Sequence, residues 1–164
     1  MNPEIEQLEA AIAAANEKLA ELKAAEAAQT EKAWPQYGDT YFFVDGDGDV
    51  VESQWSSDPF DASRMNIGIV YRTVAEAEHE IDRRKVLTEL RRLARESWGG
   101  GKADWSSRDK DKWYLYFLHN DAAWCIGRYT TVQDQGSVYF ATHEAAEAAI
   151  ETIGAERLML LLED

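Results

Sequence analysis

The spacing of apolar residues near the N-terminus is typical of a coiled-coil seam. Apolar side chains recur at alternating steps of three and four, at Ile5, Leu8, Ile12, Ala15, Leu19 and Leu22. This pattern predicts an amphipathic helix over residues 1–34 that self-associates, most simply as a homodimer, through Ile5, Leu8, Ile12, Leu19 and Leu22. Docking of the helix on its own domain and fraying are the alternatives, because so short an isolated helix is marginally stable in water.

The next segment alternates apolar and polar residues, which is typical of strands. Trp34-Pro35 ends the first helix, because the residue before a proline avoids helical backbone angles. Strands are predicted at residues 39–44 and 50–55, joined by an Asp-Gly turn, followed by a loop at 56–61 and a strand at 68–72. A helix is then predicted from Thr73 to about Ser97, with Thr73 as N-cap and Glu76 completing a capping box.

The C-terminal part of the chain repeats this layout. Strands are predicted at residues 113–118 and 123–129, then a short strand ending at Phe140, then a helix from Thr142 to Ile153. A last segment at 156–162 carries leucines that we expect to be buried, at Leu158, Leu160, Leu161 and Leu162. Aligning Thr73 with Thr142 also pairs three further positions: Ala77 with Ala146, Glu78 with Glu147 and Ile81 with Ile150.

The predicted fold class is therefore α+β, with an N-terminal coiled-coil-like helix followed by a duplicated β-β-β-α unit with antiparallel sheets. The units are residues 35–98 and 113–164, and a glycine-rich, charged linker covers residues 99–112. The units either pair edge to edge or stack with helices on one face, and the sequence leaves both arrangements open.

Composition narrows the classes of function. Of the 164 residues 45% are hydrophobic, and 31 acidic against 17 basic side chains give a net charge of -14. This charge argues against direct nucleic-acid binding and against an anionic membrane surface. The single cysteine excludes an internal disulfide, and we see neither a signal peptide nor an apolar run of membrane-spanning length. We therefore expect a cytoplasmic protein.

Acidic residues concentrate in and after the first hairpin. We predict that they form a surface for a basic protein partner, at Asp45, Asp47, Asp49, Glu52, Asp58 and Asp61. The alternative is that they only keep the hairpin turns solvated. A calcium loop of the EF-hand type is disfavoured, because Val50 and Ser56 stand where that motif needs glycine and glutamate.

Arginines on the long predicted helix are the main basic feature. Arg84, Arg91 and Arg95 share one helical face, and Arg92 lies beside them. Because the arginine fork suits phosphate and carboxylate, a small anionic ligand such as a nucleotide is a second candidate partner. The alternative is a solvated face paired with acidic side chains.

Motifs for catalysis or metal binding are incomplete. Glu147 replaces the second histidine of a zinc-type motif that begins at His143, and Cys125 has no base beside it. The run Gly99-Gly100-Gly101-Lys102 lacks the first glycine and the hydroxyl residue of a phosphate-binding loop. We therefore predict no catalytic residues, no metal and no cofactor, and we favour a non-enzymatic binding protein.

The motif residues together resemble small uncharacterised proteins of bacteriophages and prophages. The resemblance is carried by residues 41–44 before Asp-Gly, by the Thr73-x-x-Glu-Ala-Glu start of the helix, by the stretches at 138–140 and 153–158, and by Trp55, Asp58, Asp61, Arg64 and Gly68. Ile69 departs from it, because a polar residue is expected there. The resemblance implies an accessory protein that acts on host machinery, such as an inhibitor of a bacterial defence or nucleic-acid-processing complex, and it transfers no catalytic residues.

Overall fold

A computed structural model describes residues 11–12, 15–19, 21–23 and 34–163. The fold is α+β, with two three-stranded antiparallel sheets and helices between and after their strands. The short described stretches before residue 24 are helical. Ile5 and Leu8 of the predicted seam lie outside the described residues, whereas Ile12, Leu19 and Leu22 are 60%, 50% and 58% exposed.

The first sheet is built around a hairpin. Strand β1 (Thr40–Val44) pairs with β2 (Val50–Gln54) on one side and with β3 (Val70–Tyr71) on the other. The Asp45 carboxylate accepts hydrogen bonds from the backbone N–H groups of Asp47 and Asp49, both at 2.9 Å. Asp45 therefore closes the turn at the position where the sequence predicts one.

A helix that sequence reasoning missed separates β2 from β3. Residues 56–61 were predicted to form a loop, but helix α1 (Pro59–Asn66) begins within that range. Asp58 caps it by accepting the N–H of Asp61 at 2.8 Å, and Pro59 occupies the first turn. An N-cap followed by proline is a recognised helix start, so the local signal was present in the sequence.

The long helix α2 (Val74–Ser97) has the predicted bounds. Thr73 Oγ1 accepts the N–H of Glu76 at 3.2 Å, while the Glu76 carboxylate accepts the N–H of Arg72 at 2.8 Å, one residue before the expected partner. At the other end, Gly100 donates its N–H to the carbonyl of Arg95 at 2.9 Å with a φ of 88°. Glycine suits this left-handed cap because it has no Cβ to clash.

The second sheet has the same strand order as the first, with the earliest strand in the centre. Strand β4 (Lys112–Leu118) pairs with β5 (Ala123–Tyr129) and with β6 (Tyr139–Phe140). Helix α3 (His143–Ile153) follows, capped by Thr142, and leads into α4 (Ala155–Leu158) and a 3-10 turn at Met159–Leu161.

The main hydrophobic core lies between α2 and the second sheet. It contains Val86, Leu90 and Ala94 of α2, together with five residues from β6, α3 and α4, namely Phe140, Ala146, Ala149, Ile153 and Leu158. Helix α2 also contacts all three strands of the first sheet, and residues of its first half line a cleft together with that sheet. Within the described residues the two sheets are separate, so edge-to-edge pairing of the sheets is not the arrangement adopted.

The C-terminal leucines are not equally buried. Leu158 is fully buried, and Leu160 and Leu161 pack partly against the core, but Leu162 is 39% exposed. The prediction that Leu162 is buried was wrong, because the backbone tightens into a 3-10 turn after Leu158 and changes the face on which each side chain lies.

The predicted linker is anchored to the second sheet by a buried lysine. Lys112 is 0% exposed, and its Nζ donates to the carbonyls of Ser107 and Thr130 at 2.6 and 3.0 Å. The Trp105 ring centroid lies 5.2 Å from the same nitrogen. Because a buried ammonium is costly unless its donors are satisfied, these contacts fix the segment before β4 against the end of β5.

Replacing Lys112 with methionine tests this anchor. We expect Lys112→Met to lower the free energy of unfolding by about 1–3 kcal/mol, because two carbonyls lose their charged donor. Urea unfolding measures the loss, and hydrogen exchange should show faster exchange over residues 103–109. Lys110→Met, on the exposed part of the same segment, is the control and should change stability by less than about 0.5 kcal/mol. Equal effects of the two substitutions would contradict the anchoring role.

Candidate binding surfaces

Most of the predicted acidic residues lie on the β1–β2 hairpin. Asp47, Asp49 and Glu52 are exposed, whereas Asp45 is half-buried because its carboxylate holds the turn. Asp58 is also half-buried and is engaged as the N-cap of α1. The side chains that are free to meet a partner on this hairpin are therefore those of Asp47, Asp49 and Glu52.

Asp61 does not belong to this exposed surface, so its assignment to the acidic face was wrong. It is 2% exposed and accepts hydrogen bonds from Tyr41 Oη at 2.6 Å and from Ser56 N and Oγ at 2.7 and 2.9 Å. Arg64 Nη1 lies 3.7 Å from the carboxylate and donates to Tyr41 Oη at 2.6 Å. The Arg64 guanidinium also lies 3.8 Å from the Phe43 ring centroid.

The environment of Asp61 keeps its carboxylate ionised. Burial alone raises the pKa of Asp61, but the hydrogen bonds from Tyr41, from Ser56 and from the backbone of Asp58 favour the charged form and together lower the pKa below its ordinary value. Asp61 is thus a structural group that joins β1, the loop after β2 and α1.

A cleft of about 780 Å³ opens between the first sheet and the first half of α2. Its apolar lining comes from Phe42, Val50, Val74 and Ile81. Its charged lining consists of four carboxylates and one ammonium, namely Asp49, Glu52, Glu78, Asp82 and Lys85. Because Lys85 pairs with Asp82 at 3.0 Å, an excess of negative charge faces this opening, which we call the acidic cleft.

Glu78 and Asp82 were not among the predicted site residues, although a local signal exists. They are four positions apart on α2 and therefore share a helical face, with Val74 and Ile81 beside them. The sequence could not show that this face borders the hairpin, because that depends on how α2 packs against the sheet.

The predicted arginine face separates into paired and unpaired members. Arg84 Nε lies 2.7 Å from Glu80, and Arg92 Nη1 lies 2.6 Å from Glu96. Arg83 also pairs with Glu80, and these bonds, above all the one from Arg83, lower the pKa of the Glu80 carboxyl. Arg91 and Arg95, in contrast, line a pocket at the C-terminal end of α2.

This pocket, the cationic pocket, has a volume of about 430 Å³. Arg91, Arg95 and Lys102 supply its basic side chains, and within the described ranges none of the three forms an ion pair. Trp98, Trp105 and Tyr139 supply its aromatic side chains, from the end of α2, the following segment and β6. Lys102 is not among the predicted site residues, because the glycine-rich run before it is typical of a linker.

The aromatic wall of the cationic pocket is held by several contacts. Trp98 Nε1 donates to the Tyr139 carbonyl at 2.9 Å, and the Tyr139 hydroxyl accepts the N–H of Asp134 at 2.7 Å. The Trp105 and Tyr139 rings meet edge to face, with centroids 4.8 Å apart. This geometry fixes Tyr139 while both tryptophans remain partly exposed.

The remaining candidate chemistry is dispersed. His79 bonds to Glu163 at 2.7 Å, His143 contacts the Trp113 ring, and Cys125 is half-buried in β5 opposite Tyr116. In the described part of the chain, histidine, cysteine, aspartate and glutamate residues form no group of three or more suited to holding a metal ion. Over the same residues, no helix is long and apolar enough to cross a membrane.

Comparisons with protein-family models, with curated proteins and with solved structures find no match to this chain.

The Asp61 network predicts a defined acid response. Because the folded pKa of Asp61 is depressed, its contribution to stability is complete above the ordinary aspartate value of 3.8 and is lost as the pH falls through the lower folded value. Asp61→Asn should cost about 2–3 kcal/mol at pH 7, since a charged acceptor of several buried donors is removed. As the pH falls below about 4, the variant should also lose less stability than the wild type does.

Urea unfolding followed by tryptophan fluorescence at pH 7 and in the acid range measures both effects. Asp47→Asn, in the exposed turn, is the matched control because it makes the same chemical change without a buried network. A comparable loss in both variants at neutral pH would show that Asp61 has no special structural role.

Proposed function

We propose that this protein is a non-enzymatic accessory protein that works by binding, and that the acidic cleft recognises a basic surface of a partner protein. The observation that carries the proposal is the composition of the cleft, in which an apolar floor of Phe42, Val50 and Ile81 is bordered by carboxylates. The exposed carboxylates of the adjoining turn, including Asp47, extend the same charge beyond the cleft.

This composition suits lysine and arginine side chains of a partner. Their aliphatic stems can pack on the apolar floor while their charged groups reach Asp49, Glu52 and Glu78. The net charge of -14 would accelerate and orient the encounter with a basic surface, and would make it sensitive to salt.

The phage resemblance supports a more specific role. We propose that the protein acts in the cytoplasm of a bacterial host and inhibits a defence or nucleic-acid-processing complex, whose DNA-binding groove would present the basic surface. An acidic protein can occupy such a groove because its carboxylates replace the phosphates of the nucleic acid.

Two proposals about architecture accompany this function. The common strand order of the sheets, and the threonine-capped helix after each third strand, support an origin by duplication of a β-β-β-α unit, with α1 inserted in the first copy. The exposure of Ile12, Leu19 and Leu22 supports a coiled-coil dimer of the N-terminal helix. A dimer would present two acidic clefts and so gain avidity for a multivalent partner.

Charge reversal tests the acidic cleft. We expect the triple variant Asp49→Lys, Glu52→Lys, Glu78→Lys to capture at least about tenfold less partner protein from bacterial lysate than the wild type does. The reason is that like charges then face each other across the interface. Quantitative mass spectrometry of the captured proteins measures the change. Asp45 is left intact because its carboxylate holds the turn.

The control carries the same change in net charge on another face, at Glu147→Lys, Glu151→Lys, Glu156→Lys, all of which are exposed. It should retain partner binding, and the wild-type interaction should weaken as salt is raised. A partner that is captured equally by the wild type and by the cleft variant would show that the acidic cleft is not the binding surface.

The dimer proposal is tested at its exposed seam. We expect Ile12→Asp to convert a dimer into a monomer while the sheets remain folded, because a charge in the seam is not compatible with apolar packing. Light scattering coupled to gel filtration measures the mass, and circular dichroism checks the fold. Asn16→Asp adds the same charge outside the seam and should leave the dimer intact. A wild-type chain that is monomeric at high concentration would refute the proposal.

A further inference from the structure

We propose that the cationic pocket binds a mononucleotide, with the phosphate held by Arg91, Arg95 and Lys102 and the base placed against the aromatic wall. This site is separate from the acidic cleft and does not depend on the function proposed for it. It is formed by the C-terminal turns of α2, the segment that follows, and the residues leading into β6.

The pairing pattern of the basic residues is the first argument. Six other arginines have described carboxylate partners, and three of the six lie on the same helix as the pocket: Arg64, Arg83, Arg84, Arg92, Arg128 and Arg157. Arg91, Arg95 and Lys102 instead converge on one pocket without a described carboxylate partner. In a protein of net charge -14, this arrangement leaves a local positive site that no described carboxylate neutralises and that an added anion would fit.

The spacing of the two arginines is the second argument. Arg91 and Arg95 are four positions apart on a helix, so their side chains are neighbours and repel each other. An anion between them relieves this repulsion. Guanidinium groups also match phosphate better than an ammonium does, since they donate two parallel hydrogen bonds.

The acidic residues near the pocket do not supply this anion. Asp104 and Asp134 adjoin lining residues in the sequence, but neither lines the pocket itself. Asp104 instead accepts hydrogen bonds from the N–H and hydroxyl of Ser106 at 3.0 and 2.6 Å.

The aromatic wall identifies the second part of the ligand. Trp98, Trp105 and Tyr139 come from separate segments, and Tyr139 is held at its carbonyl, its ring and its hydroxyl. Partly exposed indole rings in a preorganised wall are suited to stacking on a nucleic-acid base. A volume of about 430 Å³ falls in the range of small-ligand sites, about 300–1,000 Å³, and so favours a mononucleotide over a longer strand.

Isothermal titration calorimetry of the full chain with AMP and with GMP tests the proposal. We expect saturable binding of at least one mononucleotide, and binding at least about tenfold weaker for its nucleoside and for inorganic phosphate, because each of these retains only half of the contacts. Raising the salt concentration should weaken mononucleotide binding.

Substitutions then locate the site. Arg95→Ala and Arg91→Ala should each weaken mononucleotide binding about tenfold or more, whereas Arg92→Ala, whose guanidinium pairs with Glu96, should change it less than about twofold. Trp105→Leu should weaken the mononucleotide but not inorganic phosphate. Circular dichroism and the melting temperature of each variant confirm that it is folded.

Several outcomes would overturn the proposal. Absence of binding at millimolar AMP and GMP would mean that the arginines serve only to offset the negative end of the α2 dipole. Equal affinity for inorganic phosphate and for the mononucleotide would show that the base makes no favourable contact with the aromatic wall. Binding that appears only with single-stranded oligonucleotides, or that Arg92→Ala weakens as much as Arg95→Ala, would assign the arginines to a different and larger surface.

Discussion

The packing of α2 against both sheets is the constraint on which the rest of the fold depends. Ala77 is buried in the half of the helix that contacts the first sheet, and Val86, Leu90 and Ala94 complete the core beneath the second. A helix of 24 residues spans about 36 Å, so the acidic cleft and the cationic pocket lie towards opposite ends of one rigid element. In the first half of α2, Glu80 pairs with Arg83 and Arg84. These two arginines therefore add little positive charge near the acidic cleft.

Within the described residues, each sheet also depends on a buried charged group. Asp61 joins Tyr41 of β1 to the loop at Ser56, and Lys112 joins the segment at Ser107 to the end of β5 at Thr130. A buried ion is tolerated only when nearby dipoles replace its water. Each of these two residues therefore fixes the position of an irregular segment against its sheet. Apolar packing alone does not fix that position, because a three-stranded sheet is small.

Local elements were predicted well because their causes lie within a few residues. The hairpin turn depends on Asp45 and the glycines beside it, and the starts of α2 and α3 depend on Thr73 and Thr142 accepting a nearby N–H. The missed helix α1 had an equally local cause in Asp58-Pro59, so that error came from interpreting a polar stretch as a loop. Leu162 was placed wrongly because a 3-10 turn has a different period from an α-helix.

The sequence by itself determined the strands, the capped helices, the α+β class and the sign of the net charge, because periodicity, capping and composition are local or additive properties. Only the tertiary structure decided which charges are available to a ligand. It buried Asp61, and it brought Glu78 and Asp82 beside Asp49 and Glu52. It also joined Arg91 and Arg95 to Lys102, Trp105 and Tyr139. Several of these neighbours are distant in the chain, as Glu78 is from Asp49 and Tyr139 is from Arg95, so their proximity follows from how α2 packs on the two sheets and not from a local pattern.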